Sequence, residues 1–569
     1  MIKARILKIK ELLNIYNLDG YIIPKNDAYF SEYSSPDRLK IISNFNGSAG
    51  FAIILKKENF LFVDGRYTIQ AKIQSSKNFK IIEVPRFSVK KILSKYKKKL
   101  SLGFDPELFT KLTIKKFQNT CNLLPITENF IDKIYKEKKK NNINPFYNLS
   151  YKITGEKIQS KIDRLVKKLK SLNIDNIFIS APENVAWLLN LRGKDLPYSP
   201  MPNCKIILTC KKEIFFFSCP KKIFLIKNNL KLKKFKFCEY KNFYKIINSL
   251  KGKNFCIDGS TCSVSNENII EKKFRIKNNL DPCYFLKSIK NKLEIKNMIN
   301  THLNDGLALT KFIFWIKNVN NKKITEIEAQ NKLEQFRKLN KNYLFPSFNT
   351  IAGAGPNGAI VHYKATKKLC RTIKKNDIFL CDSGGQYRYG TTDVTRTICF
   401  SNQKKNIKNI FTKVLKGHIA VAQTNFKKIN TGKKIDINAR KYLKKSGLDY
   451  SHGTGHGVGF FLNVHEGPQS ISKYNSIKLK EGMILSNEPG YYKKNHYGIR
   501  IENLIYIKKS KNNLHFENLT LAPIEKDLIN YDLLNANEKD YLFKYHLDIY
   551  NKFSKFLDKK EKKWLISLI

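Results

Sequence analysis

The stretch DIFLCDSGGQYRYGTTDVTRTICF, residues 377–400, decides how this chain is read. Apolar and small residues alternate up to Asp382, and Gly384-Gly385 then offers a turn. The run TTDVTRTICF is rich in β-branched residues around Asp393. Together these segments predict neighbouring strands joined by a longer loop, with two carboxylates presented from adjacent backbone. Surface acids at this spacing are common, so the pair by itself defines no site.

Three more runs give it a setting: HGTGHGVGFFLNVHEGP (452–468), LSNEPGYY (485–492) and GIRIENL (498–504). The first packs four glycines around His452 and His456, which lets backbone approach a ligand closely. A nucleotide-binding glycine loop is the rival reading, but no Lys follows the glycines and no GxGxxG opens a helix. Of only nine histidines, His362, His452, His456 and His465 fall beside the acidic motifs. Glu488 is expected at a strand end before Pro489-Gly490. Glu502 is expected inside the strand GIRIENLIYI, where period-2 alternation puts Arg500, Glu502 and Leu504 on one face. In isolation Arg500 and Glu502 read as a salt bridge; with the other residues present, Glu502 reads as a ligand and Arg500 as its orienter. Asp382, Asp393, His456, Glu488 and Glu502 form a mostly oxygen donor set suited to hard or borderline divalent cations. Two such ions roughly 3.5–4 Å apart can share a hydroxide and hold both sides of a hydrolytic transition state. A metal-dependent hydrolase is the leading expectation.

The bulk properties fit that class. At 569 residues the chain exceeds one ordinary core. Apolar runs are short and soon broken by Lys or Asn, and MIKARILKIKELLNIY lacks a signal peptide's apolar stretch, so a cytoplasmic protein with no membrane span is expected. Eleven cysteines without a CxxC pair argue against disulfides and Cys-type zinc sites, and predict reduced, mostly buried thiols. A net charge of +59 raises the possibility of a nucleic-acid footprint. The lysines are spread over nearly the whole chain, however, and no RNP motif, zinc finger or helix-turn-helix accompanies them. The charge therefore reads as surface composition, with no specific nucleic-acid partner.

Working outward, the chain opens twice with one kind of module. KELLNIYNLDGYIIPKNDAYF and VKKLKSLNIDNIFISAPENVAW each run from an amphipathic helix through N-[LI]-D into a short apolar strand. Asn17 and Asp19 align with Asn173 and Asp175, and Asn44 and Gly47 with Asn190 and Gly193. The charged segment KEKKKNNINPFYN, around residues 136–148, suits a boundary, and a second change comes near Asp281-Pro282. Beyond it Ile295, Ile299, Leu303 and Leu307 recur at i+4 and predict a long amphipathic helix. The last segment, LFKYHLDIYNKFSKFLDKKEKKWLISLI, reads as helical.

The ordered set D…D…H…E…E resembles the pita-bread metallopeptidases. IAGAGPNGAIVHY, DSGGQYRYGTTDVTRT, HGTGHGVGFFLNVHEGP, NEPGYY and YGIRIEN narrow the resemblance to three-domain Xaa-Pro aminopeptidases, and SEYSSPDRLKIISNFNGSAG, VDGRYTIQA and NVAWLLNLRGKDLPYSP extend it over the N-terminal modules. The resemblance implies an α/β chain: creatinase-like domains over residues 1–150 and 151–286, then a pita-bread catalytic domain (α+β, pseudo-two-fold) over 287–569. It further implies two divalent metal ions, Mn2+ by type, with Asp382 and Glu502 bridging, Asp393 on one ion, and His456 and Glu488 on the other. Glu488 is implied as general base, and His362, His452 and His465 as catalytic and substrate-binding histidines. Proline-containing peptides are the implied substrates and a homodimer the implied assembly. Prolidase, which cuts Xaa-Pro dipeptides, is the rival enzyme; a non-catalytic pita-bread protein binding nucleic acid is the rival from another class.

Overall fold

The computed structural model describes residues 1–135, 144–227, 234–319 and 323–569; most of the predicted charged linker lies outside them. The chain divides into two compact units, Met1–Tyr284 and Phe285–Ile569.

In the first unit the repeat has a backbone cause. Helix α1 (Ile2–Ile15) ends where Asn17 turns left-handed (φ 49°) and Leu18 N donates to Leu13 O. Helix α2 (Ile158–Ser171) ends the same way, with Asn173 at φ 53° and Ile174 N on Leu169 O. Asn tolerates this conformation better than most residues, which explains its recurrence. Asp19 then accepts from Ser101 N at 2.9 Å, as Asp175 does from Asn254 N at 2.9 Å. Each aspartate thus clamps the first strand of its sheet to a distant one. Asn44 and Asn190 are also left-handed, at φ 66° and 50°.

The two sheets repeat one topology. The first contains β1 (Gly20–Pro24), β2 (Phe51–Leu55), β3 (Asn59–Asp64), β4 (Lys80–Val84), β5 (Ser101–Phe104) and β6 (Asn122–Pro125), in the order β4-β3-β2-β1-β5-β6. The second contains β7 (Asn176–Ile179), β8 (Lys205–Thr209), β9 (Ile214–Phe217), β10 (Phe235–Cys238), β11 (Asn254–Ile257) and β12 (Arg275–Asn278), in the order β10-β9-β8-β7-β11-β12. The first strand of each pairs antiparallel with the second and parallel with the fifth. Alternation splits β1 between two cores: Tyr21 and Ile23 pack on one face, Ile22 on the other.

The second unit begins with α3 (Lys292–Asn318), started by a capping box between Asn291 and Glu294. The helix is where the periodicity predicts it, but its most buried stripe differs. Ile295, Ile299, Leu303 and Leu307 are half-buried, whereas Glu294, Thr301, His302 and Asp305 are buried. The reason is an internal ion pair. Arg337, on α4 (Glu326–Lys338), reaches Asp305 through Nε at 2.7 Å and Nη2 at 3.2 Å, and Tyr387 donates to the same carboxylate at 2.7 Å. Arg337→Met leaves that carboxylate buried with the tyrosine hydroxyl as its remaining partner. We expect a loss of roughly 3–5 kcal/mol, read from the urea midpoint of the C-terminal unit.

Two helix pairs and two sheets make up the halves of the pita-bread domain. With α3 and α4 goes the sheet β13 (Ile351–Ala354), β14 (Ile378–Ser383) and β15 (Val394–Cys399). The other half has α5 (Lys405–Ala422) and α6 (Gly432–Lys444), which approach so closely that a Cβ on Gly417 would meet Ala439 O at 2.3 Å. Its sheet contains β16 (Gly455–Gly457), β17 (Glu466–Ile471), β18 (Ile484–Asn487), β21 (Asn503–Ser510) and β22 (Asn513–Asn518), in the order β17-β16-β18-β21-β22. A separate hairpin is formed by β19 (Gly490–Lys493) and β20 (Tyr497–Arg500). Helices α7 (Ala536–Phe553) and α8 (Lys559–Ile566) close the chain, and Ile549, Phe553, Leu565 and Leu568 join the core that holds Ile499 and Ile501. The C-terminal segment therefore covers its own domain's core.

Among the described residues all eleven cysteines are free, seven of them buried, and no helix is long and apolar enough to cross a membrane.

Candidate metal centre

The predicted strand pair is present. In β14 and β15, Asp382 lies opposite Thr395 and Ser383 opposite Val394, so Asp393 stands just before the paired strand. Alternation puts Asp393, Thr395 and Thr397 on one face of the strand. A Cβ on Gly455 would meet Ser486 O at 1.9 Å, which is the close backbone approach that the glycine-rich run predicts.

Glu502 departs from expectation. It lies in a two-residue break between β20 and β21, where the chain leaves the hairpin and joins the larger sheet. Its N–H donates to Thr395 O at 3.1 Å, and its Oε2 accepts from Thr395 Oγ1 at 2.7 Å. Arg500 departs as well. Its guanidinium donates through Nη2 to Asp382 Oδ2 at 2.5 Å, through Nε to Thr395 Oγ1 at 3.1 Å and through Nη1 to Tyr492 OH at 2.5 Å. It orients Asp382, from which it is 118 residues distant in sequence, rather than its neighbour Glu502.

These elements bring the donor atoms together. One ligand atom each from Asp393, His456 and Glu502 lies within 4.8 Å of the others. His456 Nε2 is 3.4 Å from Asp393 Oδ2 and 3.6 Å from Glu488 Oε1. With Nδ1 donating to Gly457 O at 2.9 Å, the imidazole turns Nε2 toward the carboxylates, where a cation can take the place of its proton. Asp382 Oδ1, by contrast, is buried with no hydrogen-bond partner among the described residues.

The electrostatics of the cluster follow from its burial. Burial pushes Asp382 up to about 7; Arg500 opposes the rise, while Asp393 and Glu488 add to it. Burial, then Asp393, Glu488 and Asp382, hold Glu502 well above the usual carboxylate range. Burial would lower His456, but its bond to Asp393 and the charges of Glu488 and Asp393 raise it to about 9. Carboxylates so crowded and desolvated cannot all ionise without cations among them. The orphaned Asp382 oxygen, the His456 Nε2 facing Asp393 and Glu488, and the oxygen-rich donor set all fit divalent ions.

The other predicted histidines occupy different positions. His465 stacks edge-on to His456 with ring centroids 4.3 Å apart. His452 donates from Nδ1 to Gly453 O at 2.7 Å and accepts at Nε2 from Tyr492 OH at 2.8 Å. Burial pushes it down to about 4, so it is neutral with both nitrogens engaged. That geometry suits holding the site rather than contacting substrate. His362 is half-buried in the turn after residues 355–359, and the 355–359 segment abuts β20: a Cβ on Gly498 would meet Gly358 O at 1.8 Å.

Sequence reasoning missed Thr395, Tyr492 and Ser486. Ser486 Oγ donates to Glu488 Oε1 at 3.2 Å, and Tyr492 links Arg500 to His452. The Thr-x-Thr alternation after Asp393 was the available signal for Thr395.

A carboxylate cage with one imidazole, built on two sheet-and-helix halves, defines a dinuclear-metal hydrolase scaffold. Comparison with known proteins agrees. Residues 296–509 match the model for metallopeptidase family M24, and 512–567 its C-terminal region. Residues 5–134 and 137–294 each match the creatinase/prolidase N-terminal domain. A Laccaria bicolor protein named a probable Xaa-Pro aminopeptidase P is 37% identical over 99% of this chain and 92% of its own length. The structure of X-prolyl aminopeptidase from Caenorhabditis elegans, described as a cytosolic enzyme with a di-nuclear active site, is 31% identical. It superposes with a TM-score of 0.92 over 100% of this chain and 99% of its own. Prolidase from Pyrococcus furiosus, 27% identical, covers 63% of this chain at a TM-score of 0.50, with 99% of its own length matched. The chain belongs to metallopeptidase family M24, among the Xaa-Pro aminopeptidases P with a doubled creatinase-type N-terminal region.

Proposed function

We propose that this chain removes the N-terminal residue from peptides whose second residue is proline. Asp382, Asp393, His456, Glu488 and Glu502 would hold two divalent ions, Mn2+ by family resemblance, a choice their oxygen-rich donor set suits. The observation behind this reading is the buried acid cage, in a chain matched along its full length by a structure described as di-nuclear. When bound, the ion pair supplies Lewis-acid polarisation and lowers the pKa of water.

The protein's own groups supply the rest. Glu488, with Oε1 fixed by Ser486, takes the proton of the attacking water and passes it to the proline nitrogen. His465 and His362 donate to the substrate carbonyl as negative charge develops on it. Arg500 holds Asp382 in register, and His452 with Tyr492 buttresses Arg500. Proline has no backbone N–H to donate, which makes its bonds poor substrates for ordinary peptidases. The reading also includes domain limits near residues 150 and 286, a cytoplasmic location, and a homodimer by family resemblance.

The deciding experiment offers two substrates to the Mn2+-loaded protein: an Xaa-Pro-Pro tripeptide and an Xaa-Pro dipeptide. Release of the first residue from the tripeptide is expected. Activity confined to the dipeptide would make the protein a prolidase.

A further inference from the structure

Arg396 is a buried cation, 2% exposed, whose hydrogen bonds, among the described residues, all go to neutral oxygens. Nη1 donates to Glu502 O at 2.7 Å and Thr395 O at 2.8 Å. Nη2 donates to Asn503 Oδ1 at 2.8 Å, Ala522 O at 2.8 Å and Tyr545 OH at 3.0 Å, and Nε to Pro523 O at 3.0 Å. Burying a guanidinium among neutral oxygens is costly unless its charge serves a neighbour.

The contacts form a bridge. At one end is the main chain of Glu502, in the break between β20 and β21, which has no ladder partner across a sheet at that residue. At the other is Tyr545 on α7, whose hydroxyl also meets Thr520 O and Ala522 O, both at 3.1 Å. A two-residue break between sheets needs an external brace, and the planar fork of an arginine supplies one that a lysine cannot reproduce.

We propose that Arg396 is a positioning residue of the metal centre, through which Tyr545 of the C-terminal helix fixes Glu502 for metal binding. The inference rests on the reading of Glu502 as a ligand. The C-terminal region then sets metal affinity as well as covering the core.

Calorimetric titration of Mn2+ into chelator-stripped protein tests this, with Arg396→Lys, Tyr545→Phe, Leu565→Ala and Glu502→Gln compared with wild type. Arg396→Lys should weaken binding about 10–100-fold. Tyr545→Phe, which keeps the ring and removes one bond, should weaken it several-fold and decides the matter if the lysine variant fails to fold. Leu565→Ala, a cavity in α8, should lower Tm and leave affinity unchanged. Wild-type affinity in every folded Arg396 and Tyr545 variant, or equal weakening in Leu565→Ala, would overturn the proposal. Unchanged binding in Glu502→Gln would instead sink the ligand reading beneath it.

Discussion

Asp393→Asn should lower kcat on an Xaa-Pro-Pro peptide by about a thousandfold or more, with the fold intact. Asp393 is 4% exposed and faces His456 Nε2 at 3.4 Å, within the group that includes Glu502. Asparagine keeps the shape and the strand start but loses the charge, and it can turn an amide N–H toward the imidazole. A cation then has one anionic ligand fewer in a site where solvent cannot make up the loss. Steady-state kinetics with saturating Mn2+, beside circular dichroism and Tm, make the check. Near wild-type kcat in the variant would remove Asp393 from the site.

The second large effect concerns pH. Without metal, Asp382 titrates near 7 and His456 near 9, and Glu502 stays protonated well above the usual carboxylate range. Ions displace these protons, so apparent Mn2+ affinity should climb steeply from pH 6 to 8. Titration in buffers of differing ionisation enthalpy should show release of roughly two protons per chain at pH 7. Stability follows from the same values. The unfolded reference is about 4 for the carboxyls and about 6.5 for histidine, so Asp382, Glu502 and His456 bind more protons in the folded metal-free state than in the unfolded one. The carboxyl penalty grows as pH rises from about 4 through Asp382's value near 7, and His456's contribution is lost as pH rises from about 6.5 through 9. Metal-free protein should therefore lose stability as pH rises from about 6.5 to 9, above the range in which the depressed His418, His452 and His546 titrate, and Mn2+ should restore it. A metal-free Tm that rises with pH there would contradict the cage electrostatics.

How far the sequence reaches can be seen residue by residue. Asn17 and Asn173, with Asp19 and Asp175, were legible because the same residues recur in two places. The left-handed helix end is local chemistry, whereas the aspartate clamps, across 82 and 79 residues, were not legible. Asp382 and Asp393 were legible because strand alternation is local too. The partner of Arg500 was not. Sequence adjacency favours Glu502, but a sheet switch turns the guanidinium to Asp382. The same switch hid the break at Glu502, since the period of GIRIENLIYI continues unchanged through it. Thr395 and Arg396 act across 107 and 106 residues on Glu502, contacts that only the assembled register creates. On α3 the apolar i+4 series marked the helix, while the buried stripe was chosen by Asp305 and Arg337.

The central claim is that this cage works as a two-ion peptidase centre. Its most direct test titrates Mn2+ into chelator-stripped protein while first-residue release from an Xaa-Pro-Pro peptide is followed. We expect no turnover without metal and a rise that saturates at two ions per chain. Turnover that persists in the stripped protein, or protein that takes up two ions and still leaves the tripeptide uncut, would contradict it.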